Sequence, residues 1–196
     1  MKNKVTIVLS VMFMFQFIVS CCNCDPTETF ENHYQELTIF AYDTSGFNVK
    51  EATENAYKNA FGLGVMVKFE SIKVSDSMNC YSNLGFGTAL AFSDCDCVGD
   101  EFLYPDPLTK LVIYALDPVS LEKTVITERF KIQFYDDSLI SIDSFFEQRE
   151  EWHDGFQLTL VAYNELPDTI IFVAEVFLES GKSFINQTNI ITFIDG

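Results

Sequence analysis

The sequence predicts an all-β chain folded as an antiparallel β-sandwich, with one or two short helical inserts. Three observations carry this. Segments that alternate apolar and polar residues recur along the chain, as half-buried strands do. No regular alternation of strands with long amphipathic helices accompanies them, which argues against a parallel sheet. The chain also holds 20 Phe in 196 residues, and all but Phe13, Phe15 and Phe17 lie beyond the N-terminal leader, enough large side chains for a two-sheet core.

Leu37-Thr38-Ile39-Phe40-Ala41-Tyr42 opens the ordered part as the first strand. Asn48 to Phe61 reads differently: Val49, Ala52, Ala56, Ala60 and Phe61 recur at helical spacing. Asn48 with Glu51 suits an N-terminal cap and Gly62 a C-terminal stop, so this is the first helical insert. Leu63, Val65, Val67 and Phe69 alternate with Gly64, Met66, Lys68 and Glu70, a half-buried strand. Further strands are expected at 85–93, 108–116, 124–135, 156–163, 169–178 and 184–194. Alternation is clearest in Phe130, Ile132 and Phe134, and again in Phe156, Leu158, Leu160 and Ala162. The segment Asp143 to His153 is a second helical or turn-rich insert, with Ser144 and Glu147 at capping-box spacing. Short loops at 164–168 and 179–183 suggest that the last three strands form a meander. A sandwich of immunoglobulin-like or related topology is the resulting expectation.

The N-terminus supplies an address. Lys2 and Lys4 precede an apolar run from Val5 to Val19, broken only by Thr6, Ser10 and Gln16. The run is shorter than the roughly 20 residues of a spanning helix and has the size of a signal-peptide core. It ends in Ile18-Val19-Ser20-Cys21, which resembles the lipobox of bacterial lipoproteins. That resemblance implies cleavage before Cys21, lipid modification of its thiol and attachment to the cell envelope, most plainly the outer membrane. Residues 1–20 are then the signal peptide, 21–36 a lipidated tether and 37–196 a single domain. Asp25, Glu28 and Glu31 in the tether are similar to the acidic export signal of surface-exposed lipoproteins in Bacteroidota. The surface and the periplasmic face both stay open.

A second resemblance spans residues 37–194. The order GLGVMVKF (62–69), Cys80-Tyr81, Gly85-Phe86-Gly87, Cys95-Asp96-Cys97 and LTKLVIYAL (108–116) resembles a family of Bacteroidota envelope lipoproteins of unknown function. It implies a β-rich, lipid-anchored protein and lends no activity.

Charge excludes one class of partner. The chain carries 12 Lys+Arg against 29 Asp+Glu, a net charge of -17. Nucleic-acid binding through phosphate contacts needs the opposite surplus. Such a body is also repelled by anionic headgroups, so the membrane is a partner through the lipid alone. An envelope protein or a glycan is the remaining kind of partner.

Six cysteines lie at positions 21, 22, 24, 80, 95 and 97. An exported chain meets oxidising conditions, so a disulfide from Cys80 to Cys95 or Cys97 is expected. Cys22 or Cys24 could bond the remaining partner and pin the tether. A zinc site from the same thiols and free thiols are the alternatives, though the C-x-C pairs are tighter than usual structural zinc spacing. Asp94, Asp96, Asp100, Glu101 and Asp106 offer oxygen ligands at a density that could hold calcium. The EF-hand pattern fails at Val98 and Pro105, and the cluster reads as a solvated acidic loop.

The leading reading of the chain is neither an enzyme nor a cofactor-binding protein. Ser180-Gly181-Lys182-Ser183 lacks the first glycine of a P-loop, since Val176 occupies that position. Gly85-Phe86-Gly87 begins a strand and opens no dinucleotide-binding helix. The two histidines, His33 and His153, have no nucleophile motif near them. Glu147, Glu150 and Glu151 could supply paired carboxylates for glycoside hydrolysis, but such a run reads as a solvated helix face. Trp152, the sole tryptophan, is the candidate platform for a sugar ring, with a core-capping role as the alternative. The function that follows is a non-catalytic binding or structural role in the envelope. The rival is a carbohydrate-binding or carbohydrate-hydrolysing surface lipoprotein. One outcome is directly checkable: peptide mapping of non-reduced protein from the envelope should find Cys80 linked to the peptide bearing Cys95 and Cys97, and a freely alkylated Cys80 under denaturing conditions would refute the bond.

Overall fold

The computed structural model describes residues 27–45, 50–52, 54–77, 99–133, 138–148 and 155–194. Two sheets face each other with the apolar core between them, an all-β sandwich with one short α-helix among the described residues.

The first sheet contains β1 (Thr27–Asp43), β2 (Lys50–Glu51), β4 (Phe61–Ser77), β5 (Glu101–Leu103), β8 (Phe130–Gln133), β9 (Leu139–Ser141) and β10 (Gly155–Leu160). Its order is β2-β1-β4-β10-β8-β9, and β5 pairs with β1. The second contains β3 (Asn55–Tyr57), β6 (Leu108–Leu116), β7 (Lys123–Val125), β11 (Thr169–Leu178), β12 (Ser183–Gln187) and β13 (Ile191–Ile194). Its order is β3-β13-β11-β6-β7, with β12 also on β11. Parallel pairing occurs at β1–β5 and at β13–β3.

The contacts divide the described residues into two compact units. One comprises residues 27–31, 73–77 and 99–103. There β5 runs beside the start of β1, with Phe30 opposite Phe102 and their rings stacked at 5.4 Å. Lys73 pairs with Glu28 at 2.6 Å, and the Glu28 N–H donates to Asp100 Oδ1 at 3.0 Å. The other unit, within 32–72 and 104–194, holds the sandwich core. In it Leu63, Val65, Leu158 and Ile132 face inward from the first sheet, and Leu111, Ile113, Ile170 and Val176 from the second. The Phe61 ring stacks on Phe172 at 4.9 Å, and Phe130 and Phe193 meet Phe172 edge-on.

The strand at Leu63–Glu70 has the expected face inward, and β6 and β11 match the expected spans. Several expectations are corrected. The helix expected over 48–61 is absent from its described residues, which form β2, β3 and a 3-10 turn at Lys58–Ala60. The alanines that mimic a helical stripe line two sheet edges. Ala52 N–H donates to Ala41 O, and Ala56 lies opposite Phe193 in the parallel pairing with β13. The strand expected over 124–135 is two strands in different sheets, joined by a crossing at Ile126–Arg129, with Ile126 buried. The strand expected over 184–194 is also two. At the break, Thr188 N–H donates to Phe172 O, and Thr188 Oγ1 accepts from Phe172 N–H at 3.1 Å, so one side chain replaces a strand partner.

The final meander holds only in its second half: β11 and β12 pair antiparallel across the 179–183 loop, but β10 lies between β4 and β8 while β11 is in the other sheet. Phe156, Leu158 and Leu160 bury against the core, and the chain then crosses over at 161–168. Arg129 holds that crossing through the carbonyls of Ala162 and Asn164. Strand β1 begins at Thr27, ten residues before the expected Leu37 and inside the expected tether. Its buried positions there are Thr27, Thr29, Asn32 and Tyr34, mostly polar, so hydrophobic alternation does not mark it. Helix α1 (Ile142–Gln148) matches the second insert, but its N-cap is Ser141, whose hydroxyl accepts from Ser144 N–H at 3.1 Å; Ser144 is not the cap. The strand expected over 85–93 lies outside the described residues.

Two glycines on the outer face of β4 set how β1 lies on its neighbour. A Cβ at Gly62 would stand 2.2 Å from Tyr42 Cζ, and one at Gly64 would stand 2.1 Å from Phe40 Cζ. Without those carbons, Phe40 and Tyr42 lie flat across β4 and cover its backbone, as aromatics do over strand glycines. Tyr42 reaches β10, where its hydroxyl donates to Leu158 O at 3.0 Å. Gly62→Ala should therefore cost about 1–3 kcal/mol in urea unfolding, because the ring must leave a packed site. Tyr42→Ala removes the obstacle, so the double variant should lose less than the sum of the singles. Burial raises the Tyr42 pKa, against a lowering hydrogen bond with Thr159. The stability from its neutral phenol is full below the unfolded value of about 10 and is lost as pH rises toward the folded value. Tyr42→Phe should flatten that alkaline loss.

Candidate functional site at the edge of β1

The outer edge of β1 is paired by β2 at Tyr42 and Asp43. From Asn32 to Phe40 no strand pairs with that edge among the described residues. On its other side β1 meets β4, with Asn32 against Ser71 and Glu36 against Lys68. From the second sheet, Asn186 Nδ2 donates to Leu37 O at 2.7 Å and latches β12 to this edge.

Beside the latch lies a cavity of about 290 Å³, lined by Asn32, His33, Tyr34, Gln35, Ile72, Asp106, Leu178 and Lys182. Tyr34 and Leu178 are buried and form its apolar wall. The Tyr34 ring is backed by Tyr104 at 6.2 Å, and Tyr104 meets Phe69 edge-on. Ile72 stands at the rim, 47% exposed.

Asn32 is 2% exposed. Its Oδ1 accepts from Ser71 Oγ at 2.5 Å, while Nδ2 has no partner among the described residues. A hydroxyl can donate or accept, so either orientation of the amide leaves one of its two atoms unpaired. A buried amide group left so costs about 1–3 kcal/mol, and proteins meet that need with bound water or with ligand.

Two further charged groups of the lining come from the turn before β6, which supplies Asp106, and from the β11–β12 hairpin, which supplies Lys182. Asp106 holds the hairpin tip: Oδ1 accepts from Ser180 N–H at 2.8 Å and Oδ2 from Ser180 Oγ at 2.7 Å. Gly181 turns the loop at φ +86°, where a side chain would be strained. Lys182 follows. Its N–H donates to Ser180 Oγ, its carbonyl accepts from Leu178 N–H at 2.8 Å, and its ammonium sits 4.6 Å from the Phe184 ring centre. No carboxylate of the described residues pairs with that ammonium.

Of the residues singled out in the sequence, the cavity gathers Asp106, Lys182 and His33, which the sequence offers for unrelated reasons. Sequence reasoning missed Asn32, Tyr34, Gln35, Ile72 and Leu178. No period-two signal could find the first three, because the buried positions of β1 change register between Tyr34 and Leu37 and Gln35 is exposed. Asp100 and Glu101 are engaged by Glu28 N–H and, at 3.4 Å, by Thr29 Oγ1. Glu147 is exposed on α1. Cys21, Cys22, Cys24, Cys80, Cys95, Cys97, Asp94, Asp96, Glu150, Glu151, Trp152 and His153 lie outside the described residues. Among the described residues no cluster of His, Cys, Asp or Glu could hold a metal ion.

A second group of polar side chains lies on the outer face of the second sheet. Tyr114 Oη donates to Glu175 Oε2 at 2.9 Å, and Ser183 Oγ donates to Glu175 Oε1 at 3.1 Å. Lys123 stands 3.6 Å above the Tyr114 ring centre. Burial, then the Glu175 bond, raises the Tyr114 pKa. These groups satisfy one another.

Compared with protein-family models, curated proteins and solved structures, the chain matches none. Asp106→Ala should free the hairpin tip and lower stability by about 1 kcal/mol in urea unfolding. Proteolysis should then nick the chain near Ser180 faster than in the wild type. Unchanged stability and unchanged cleavage would show that the Ser180 bonds carry no weight.

Proposed function

We propose that the chain is a lipid-anchored protein of the bacterial cell envelope with a non-catalytic binding role. The observation that carries the proposal is the register of apolar core, Ser20 and Cys21 at the N-terminus. After cleavage the body has 10 Lys+Arg against 29 Asp+Glu, a charge of −19, because Lys2 and Lys4 leave with the signal. Anionic headgroups repel such a body, so the acyl chains do the anchoring. Support for binding comes from the cavity at the β1 edge, where Asn32 Nδ2 has no hydrogen-bond partner and the Lys182 ammonium no carboxylate partner among the described residues. The thiol pairs among Cys22, Cys24, Cys80, Cys95 and Cys97 suit disulfides in the same oxidising compartment.

Cys21→Ala tests the anchoring. The variant should accumulate as a precursor that takes up no radiolabelled fatty acid, and the wild type should fractionate with membranes as a shorter, labelled chain. Normal processing and membrane retention of Cys21→Ala would sink the proposal.

A further inference from the structure

We infer that the cavity at the β1 edge binds a hexuronic acid, with Lys182 taking the carboxylate and the Asn32 amide facing the hydroxylated side. This deepens the binding reading above and is independent of the anchoring. The cavity, at about 290 Å³, lies at the lower end of ligand pockets, so its occupant is a small molecule the size of one sugar. Its walls are mixed. The Tyr34 ring and Leu178 offer an apolar surface of the kind that packs on the C–H face of a pyranose. Gln35 and the buried, half-satisfied Asn32 amide offer hydrogen-bonding groups for hydroxyls.

Charge selects among sugars. Both oxygens of Asp106 are held by Ser180, whereas Lys182 has no carboxylate partner among the described residues. Ser180 is neutral, so the lining holds one acidic and one basic side chain, and of the two only the Lys182 ammonium lacks a bonded partner among the described residues, on a chain of net charge -17. The hairpin fixes where that charge stands, through the turn at Gly181 and the Phe184 ring beneath the ammonium. A cation is repelled by Lys182. A phosphate dianion would meet one lysine beside a carboxylate, without the arginine fork that suits it. A neutral sugar would leave the ammonium unused. A monoanion with a hydroxylated ring matches all three parts of the lining.

The test is calorimetric titration of the full chain in detergent micelles with sodium glucuronate and, separately, with glucose. Glucuronate should bind at least tenfold more tightly than glucose. Lys182→Gln, at an exposed position, should remove that preference, bringing the glucuronate affinity to within about twofold of the glucose affinity measured on the same variant. Ile72→Trp at the rim should abolish binding of both, with the melting temperature of each variant read as the check on folding. Equal affinity for the two sugars, or a preference that survives Lys182→Gln, overturns the carboxylate assignment and leaves the cavity as a neutral-sugar site. No heat with either sugar overturns the site altogether and assigns the Asn32 amide to bound water. Each of these outcomes is distinct from failure of the anchoring, which only the Cys21→Ala fractionation reads.

Discussion

Phe172 is the point at which the two sheets become one core. It is fully buried, and its ring is stacked on Phe61 from β4 and met edge-on by Phe130 of β8 and Phe193 of β13. Its backbone is held with equal care, because Thr188 bonds both its N–H and its C=O. Interior packing at this density transmits displacement, so a change at Phe172 is felt in both sheets. The dependence reaches the cavity. Strand β11 runs from Phe172 to Leu178, the residue that walls the cavity, and continues into the hairpin that carries Lys182. Where the sheets meet therefore fixes where the hairpin tip stands.

Polar chemistry in this molecule is used mostly to hold backbone. Arg129 and Lys58 each bind carbonyls of the 161–168 crossing, and each adds an exposed acid, Glu165 and Asp168. Such exposed ion pairs are worth little in themselves, about 0–1 kcal/mol. Their value lies in the carbonyls they satisfy where the chain passes between sheets with no strand partner. Asp117 does the same at the β6–β7 turn. It accepts from Val119 and Ser120 N–H, and those bonds lower its pKa. Asn32 stands out against this economy, as a buried amide whose second half the described protein leaves unanswered.

Legibility followed burial. Leu63, Val65 and Val67, and again Phe156, Leu158 and Leu160, have one face in a dry core and the other at the surface, so the chain spells out their period. The fold class and several strands were readable for that reason. Residues 48–61 misled because Ala52 and Ala56 fill sheet edges, where spacing is set by the partner strand rather than by a helix. The start of β1 was hidden by threonines and Asn32 at its buried positions. Sheet membership was unreadable throughout. The crossings at 126–129 and 161–168 look like bends within a strand or hairpin, and what distinguishes them is side-chain bonds to remote carbonyls, from Thr127 to Ile113 and from Arg129 to Ala162. The cavity was invisible for the same reason, since it joins β1, β4 and the β11–β12 hairpin, far apart in the chain.

The edge of β1 between Asn32 and Phe40, which no strand of the described residues pairs, has a bearing on solubility. The Asn186 latch claims its Leu37 carbonyl, and an edge of this kind offers a template to a second chain that approaches in an extended state. Natural edges are guarded by charge, by bulges or by covering segments, and here Glu36 is the one acidic residue on the stretch. Mutual repulsion between strongly anionic copies supplies the remaining protection. That protection is colloidal rather than structural. Acid or high salt weakens it while the edge itself stays intact, and under those conditions the molecule is exposed to ordered aggregation built strand upon strand.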